Sequence, residues 1–357
     1  MMMNKKKILL KSENNGKISK KIPWVDKYRP NKVKDIIQQD DITKVLNDIV
    51  TTGNLQHLLL HGPPGTGKTS TILAIANELF GPVRIKERVI ELNASDENGI
   101  NVVRSKIINF AKRAIGTPDP NYLSPPYKII ILDEADSMTT EAQSALRKVM
   151  ENTSSITRFC FICNYINQII DPIASRCMKF RFGPVKENAV TQKLKIISQR
   201  EHLFFSDDVI QSISKICKGD VRRSIMLLQN LKHMSKLKTI DVENTYDIGN
   251  YMPPKIINEL WDSYIINKNA SVKDIITKTN QIKSLGYPIN NIYEQLKNKI
   301  IESDIDDKHK SLLTIQISVS ERQLIEGADE YVQLLNVMCY SKHIIDNTIN
   351  YYPQDVC

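Results

Sequence analysis

"GPPGTGKT", residues 62–69, decides how this chain is read. It fits the spacing G-x-x-x-x-G-K-[ST], follows the aliphatic run "HLLLH" (57–61) and precedes the helix-like "STILAIANELF" (70–80). A glycine-rich loop between strand and helix lets successive backbone N–H groups wrap phosphate oxygens at the helix N-terminus. Gly62, Gly65 and Gly67 supply conformational freedom and close approach. Lys68 is placed to neutralise β- and γ-phosphate charge, and Thr69 to hold Mg²⁺. Pro63, Pro64, Thr66 and Ser70 complete the expected nucleotide-contacting set.

Working outward, "RVIEL" (88–92), "KIIIL" (128–132), "RFCFIC" (158–163) and "MKFRF" (178–182) join "HLLLH" as strand candidates. Unbroken aliphatic runs, rather than alternation, mark strands covered on both faces. Helical stretches between them imply a parallel α/β sheet with right-handed crossovers. "IIILDEAD" (129–136) ends one strand in two carboxylates. Asp133 is placed to bind Mg²⁺ through water, and Glu134 to orient or deprotonate an attacking water. Asp136 reads as the start of the next helix, where Thr140-x-x-Gln143 has capping-box spacing. Asn164, ending "RFCFICN", either reaches the γ-phosphate or catalytic water or simply closes a turn, and its position alone leaves both open.

The 357 residues exceed one ordinary core and predict two or three domains. Hydrophobic residues at 41% and charged residues at 25% describe a soluble chain, and no apolar run is long enough to cross a bilayer. Residues 1–22 read as a disordered basic arm, with seven lysines against one acid in the first 21 positions. The net charge of +9 favours a polyanionic partner only weakly, because much of it sits in that arm. Six scattered cysteines suit a reducing compartment. Cys160 and Cys163 have CxxC spacing, but three residues apart on a strand they point to opposite faces, which argues against a metal or redox pair. From about 187 the pattern turns helical, and a turn near "YMPP" (251–254) separates a last helical block.

Seven motifs in order resemble a small subunit of the replication factor C clamp loader, within the AAA+ ATPases: "WVDKYRP" (24–30), "GPPGTGKT", "ELNASDE" (91–97), "IILDEAD" (130–136), "TRFCFICNY" (157–165), "ASRC" (174–177) and "GDVRR" (219–223). The resemblance implies an AAA+ α/β core at 23–185, a helical lid at 186–248 and a helical collar for ring assembly at 249–357. It implies ATP and Mg²⁺ as ligands, and as partners other clamp loader subunits in a hetero-pentamer, a PCNA-like sliding clamp and primer–template DNA, with no membrane. It further implies that Tyr28, Arg29 and Pro30 line the adenine pocket, that Asn164 is a sensor amide and that Arg222 contacts the γ-phosphate. Arg176 becomes a finger acting in trans on a neighbour's ATP.

Two departures stand out. Asn98 and Gln168 occupy positions where the family commonly has a basic residue facing DNA, whereas Arg104 is retained as a DNA-binding candidate. "ALRK" (145–148) keeps two cations near that groove or on a solvated helix face. The clamp-facing surface is expected at the end of "VVRSKIINFAKRAI" (102–115) and the loop 116–127. A eukaryotic owner implies the nucleus, and a large DNA virus its own replication site. Two other readings stay open: a non-hydrolysing scaffold subunit of the same ring, and a related AAA+ DNA-remodelling ATPase.

Overall fold

A strand covered on both faces needs helices above and below it, and the chain supplies them in alternation. The computed structural model describes residues 22–37, 40–94, 100–113, 115–235, 239–267 and 270–346; the basic arm lies outside them except for Ile22. The strands are β1 Leu58–His61, β2 Val89–Asn93, β3 Lys128–Asp133, β4 Thr157–Cys163 and β5 Met178–Arg181. They form one parallel sheet in the order β2-β3-β4-β1-β5, with Leu60 opposite Ile162 on one side and Phe180 on the other. Helices α1 Trp24–Lys27 and α2 Asp40–Thr52 precede the sheet. Within it lie α3 Lys68–Arg88, α4 Ile100–Lys112, α5 Thr140–Thr153 and α6 Asp171–Ala174.

The two faces have separate cores. Leu58, Leu60, Ile129, Ile131, Cys160 and Ile162 pack against Ile72, Ile75 and Leu79 of α3. Leu59, Ile130, Leu132, Phe159, Phe161 and Cys163 pack against Ile107 of α4 and Leu146, Val149 and Met150 of α5. Cys160 and Cys163 are therefore buried on opposite faces, and burial pushes the Cys163 thiol up to about 12.

Four helices follow the sheet: α7 Glu187–Arg200, α8 Asp207–Cys217, α9 Val221–Met234 and α10 Val242–Ile248. Their core holds Leu194, Ile197, Ile213, Leu228 and Leu231, and it also takes in Trp24 and Tyr28. The "WVDKYRP" segment, grouped by sequence with the α/β core, thus packs its aromatic rings among helices α7 to α10. The Trp24 N–H donates to Gln229 Oε1 at 3.0 Å, and the Lys232 amine lies over the Trp24 ring. The last block comprises α11 Pro254–Glu259, a π-helical segment Leu260–Ile266, α12 Val272–Leu285, α13 Ile289–Glu302, α14 Asp307–Ile325 and α15 Glu330–Ile345. These share a core of their own, including Trp261, Tyr293, Leu313 and Met338.

The loop at 116–127 is held down at two glycines. A Cβ on Gly81 would lie 2.4 Å from the Tyr122 ring, and one on Gly53 would lie 2.5 Å from Leu123. The Ser124 N–H donates to Leu79 O at 2.9 Å, fixing the loop between these contacts.

Candidate nucleotide site

Sheet order builds the site. Because β4 lies between β3 and β1, its C-terminal end opens between the carboxylates after β3 and the glycine loop after β1, in the crevice where open α/β sheets bind ligands. Gly62 is required by close approach: a Cβ there would meet Phe182 O at 2.1 Å. From the loop's far end Lys68 turns back, donating to Gly62 O at 2.6 Å, Pro63 O at 2.8 Å and Asn164 Oδ1 at 3.0 Å. Its burial pulls the amine's pKa down, while Asp133 nearby works the other way. The Thr69 hydroxyl donates to Asp133 Oδ2 at 2.7 Å, and the Glu134 N–H donates to Asp133 Oδ1 at 2.9 Å. Glu134 itself adopts the left-handed conformation, φ 54° and ψ 39°, at the strand's end. For a residue with a Cβ this is a strained backbone of the kind that collects at functional sites.

Asp136 does not start the following helix. It lies in the 3-10 turn Ala135–Ser137, and its Oδ2 accepts the N–H groups of Asn164 at 2.9 Å and Tyr165 at 3.1 Å. The two strand ends, β3 and β4, are thereby tied together, and Asn164 is aimed at Lys68. The expected Thr140–Gln143 capping box is absent for a similar reason. Thr139 is the N-cap, accepting from Ala142 N at 3.3 Å. Gln143 is drawn elsewhere: its Nε2 donates to Met138 O and Gln168 O, and its Oε1 accepts the Ile170 N–H.

Above the loop an open-mouthed cavity of about 150 Å³ is lined by Tyr28, Arg29, Pro30, Gly65, Thr66, Gly67, Lys68, Thr69, Ser70 and Arg222. All ten are expected from the sequence. Gly62, Pro63 and Pro64 form the loop's first turn beside Lys68 rather than the cavity wall. Residues without a sequence signal also line it: apolar Val25, Ile36, Ile37, Val185 and Ile225, and the pair Asp35 and Lys193. Burial pulls the Lys193 amine's pKa down, with Asp35 opposing. On α7 this lysine reads as one more solvated cation, and only the packing of α7 near the loop turns it inward.

Outside the cavity's lining, a further carboxylate holds the cavity residue Tyr28. Glu201 accepts from Tyr28 Oη at 2.7 Å, from Lys27 Nζ, and at its other oxygen from Lys232 Nζ at 2.8 Å. Burial alone would raise its pKa, but the donors from Lys232, Lys27 and Tyr28 outweigh this and hold it at about 2.

Arg176 lies elsewhere. Its Nη1 donates to Pro172 O at 2.7 Å and its Nη2 to Glu151 Oε1 at 2.8 Å, outside the cavity's lining. The same Glu151 oxygen accepts from Arg147 Nε at 3.1 Å. Arg104 belongs to α4, with its side chain outside the described residues, as is Asn98; Gln168 is exposed.

Chemically the arrangement offers a glycine-rich loop at a helix N-terminus and an amine for a polyphosphate. It pairs a hydroxyl with a carboxylate, both hard oxygen ligands, with Glu134 next in sequence.

Comparison with known proteins gives two family matches. Residues 58–185 match the family model of ATPases associated with various cellular activities, and residues 252–340 match the replication factor C C-terminal domain. The chain is 44% identical to replication factor C subunit 4 of Arabidopsis thaliana over 88% of this chain and 93% of the relative. It is 42% identical to replication factor C subunit 4 of Homo sapiens, covering 91% and 89%. It is 41% identical to replication factor C subunit 2 of Saccharomyces cerevisiae, covering 88% and 91%. A RuvB mutant from Thermotoga maritima shares the fold at 16% identity, with a TM-score of 0.52 over 75% of this chain and 92% of that one.

Proposed function

The chain belongs to the replication factor C small-subunit family of AAA ATPases, and on that premise we propose that it is a hydrolysing subunit of a heteromeric clamp loader. In this reading ATP draws the subunits together, the assembly holds a PCNA-type sliding clamp open on primer–template DNA, and hydrolysis releases both. Binding shifts the population toward the closed assembly, and hydrolysis resets it. The α/β core at 23–185 carries the nucleotide, the lid at 186–248 follows its state and the collar at 249–357 holds the ring. The workplace is the nucleus for a eukaryotic owner and the viral replication site for a large DNA virus.

The observation that carries the proposal is the Thr69–Asp133 hydrogen bond at 2.7 Å, with Glu134 next in sequence. It joins the glycine loop to the carboxylate strand at the spot where a nucleotide's phosphates would lie. Two hard oxygens at hydrogen-bond distance suit Mg²⁺, so Thr69 and Asp133 are the residues that would hold it. When bound, Mg²⁺ neutralises phosphate charge and orients the terminal phosphate. Glu134 orients or deprotonates the attacking water. Lys68 exchanges its present carbonyl partners for phosphate oxygens, and Asn164, released from Lys68, is free to bind the terminal phosphate or the water. Arg222 reaches that phosphate from the lid, while Tyr28, Arg29 and Pro30 wall the base. Arg176 serves the neighbour's site, and Arg104 is a DNA contact.

The test is a reconstituted assembly scored for clamp loading on primed DNA and for ATP turnover. Lys68→Ala should remove turnover at this subunit's site and impair loading. Full retention of both, or translocation along DNA by this chain alone, would sink the reading.

A further inference from the structure

The link between lid and phosphate loop passes through four consecutive residues. Gly219 sits under the hinge: with φ +85°, its Cβ would come within 2.6 Å of Val185 O, and the Val185 N–H donates to Gly219 O at 3.3 Å. Asp220 follows as the N-cap of α9, its Oδ1 accepting the Arg223 N–H at 2.8 Å. The same carboxylate rests on the phosphate loop, where a Cβ added to Gly65 would lie 1.9 Å from Asp220 Oδ1. Val221 donates its N–H to Gly65 O at 3.1 Å, and Arg222 faces the cavity.

We infer that Asp220 is a positioning residue for the ATPase. It caps α9 and seats the helix's first turn on Gly65, and this seat aims Arg222 at the nucleotide. Gly65 is then needed twice, for its positive φ of 70° and because any side chain would push the lid off the loop. Capping requires an acceptor oxygen but no charge, so asparagine should substitute and alanine should not. The inference rests on the reading of Arg222 as the residue that senses the terminal phosphate.

The experiment titrates ATPγS and ADP into the full-length chain, with circular dichroism recorded on every variant. Arg222→Ala should abolish the preference for ATPγS over ADP. Asp220→Ala should lower ATPγS affinity roughly 3- to 30-fold, the range expected for a lost cap, with little change for ADP. Asp220→Asn should keep the wild-type preference. The double variant should bind ATPγS no more weakly than Arg222→Ala, because one residue acts through the other. Val221→Pro gives a second route that spares the helix, since proline is favoured at the first helical position yet removes the N–H given to Gly65; it too should lose the preference. If Arg222→Ala loses the preference while folded Asp220→Ala or Val221→Pro keeps it, the seat is disproved and the Arg222 reading survives. Additive losses in the double variant would disprove the seat in the same way. If Arg222→Ala keeps the preference, the Arg222 reading fails and the Asp220 inference falls with it.

Discussion

Arg176 Nη2 lies 2.8 Å from Glu151 Oε1 on the surface of its own subunit, with both side chains more than a third exposed. A pair this exposed is weak and screened by salt, and the one other hold on the guanidinium is its exposed hydrogen bond to Pro172 O at 2.7 Å. The proposed finger is therefore docked on its own chain but can leave. Its own nucleotide cavity is lined by other residues, as the proposed role in trans requires.

Arg176→Ala in the assembly should leave nucleotide binding at this subunit unchanged and lower turnover at one neighbouring site by about 10³–10⁵-fold, the range known for arginine fingers. Single-site turnover, measured with the other sites disabled, checks it. Indistinguishable behaviour of Arg176→Ala and Lys68→Ala would refute the assignment in trans.

Glu134 combines a strained backbone, φ 54°, with the proposed role of base. Glu134→Gln should retain nucleotide binding and lower kcat by about 10²–10⁴-fold, as for loss of a general base. Glu134→Gly should also lose turnover yet raise unfolding stability by about 1 kcal/mol, because glycine adopts this conformation without the Cβ clash. Opposite signs for activity and stability at one position would identify strain kept for function. A destabilised glycine variant would show that the side chain holds the turn together.

The parts of the site legible in the sequence are those fixed by local geometry. Loop spacing, aliphatic strands and the carboxylates after β3 each follow from a few consecutive residues. Asp136 defeats a local reading because its local signal, an acid shortly before a helix, competes with a tertiary one: two N–H groups at the end of β4 take its carboxylate. Gln143 fails as a cap in the same way, since Gln168 and Ile170 from the next connection claim its amide. Lys193 and Asp35 could not be found from sequence, because they stand more than a hundred and fifty residues apart and only the packing of α7 over the loop brings both to the cavity. Nor does local pattern tell that Trp24 and Tyr28 would find their packing among lid helices.

His57, just before β1, accepts the Phe159 N–H through Nδ1 at 3.0 Å, which requires a neutral ring. Burial, assisted by Arg158, lowers its pKa from 6.5 to about 4. The unfolded chain thus binds this proton more readily than the folded one, and stability should fall as pH drops from about 6.5 towards 4, with no further loss from this group below that. Unfolding midpoints in denaturant across this interval should slope for the wild type and flatten for His57→Gln. An unchanged slope in the variant would assign the acid sensitivity to other groups.

Gly81 breaks α3 with φ 73° and ψ 165°, a region that residues with a Cβ scarcely enter, and its missing side chain makes room for the Tyr122 ring. Gly81→Ala therefore meets two separate penalties, backbone strain and a Cβ 2.4 Å from that ring. Together they should cost roughly 2–5 kcal/mol, read as a lower urea midpoint at unchanged slope. Adding Tyr122→Ala removes the clash and leaves the strain, so the double variant should recover part of the loss and the cycle should show positive coupling. Because Tyr122 anchors the loop proposed to face the clamp, Gly81→Ala should also weaken clamp loading more than it weakens ATP binding. Strict additivity in the cycle would mean that the ring simply moves aside, and that the loop is not held at this point.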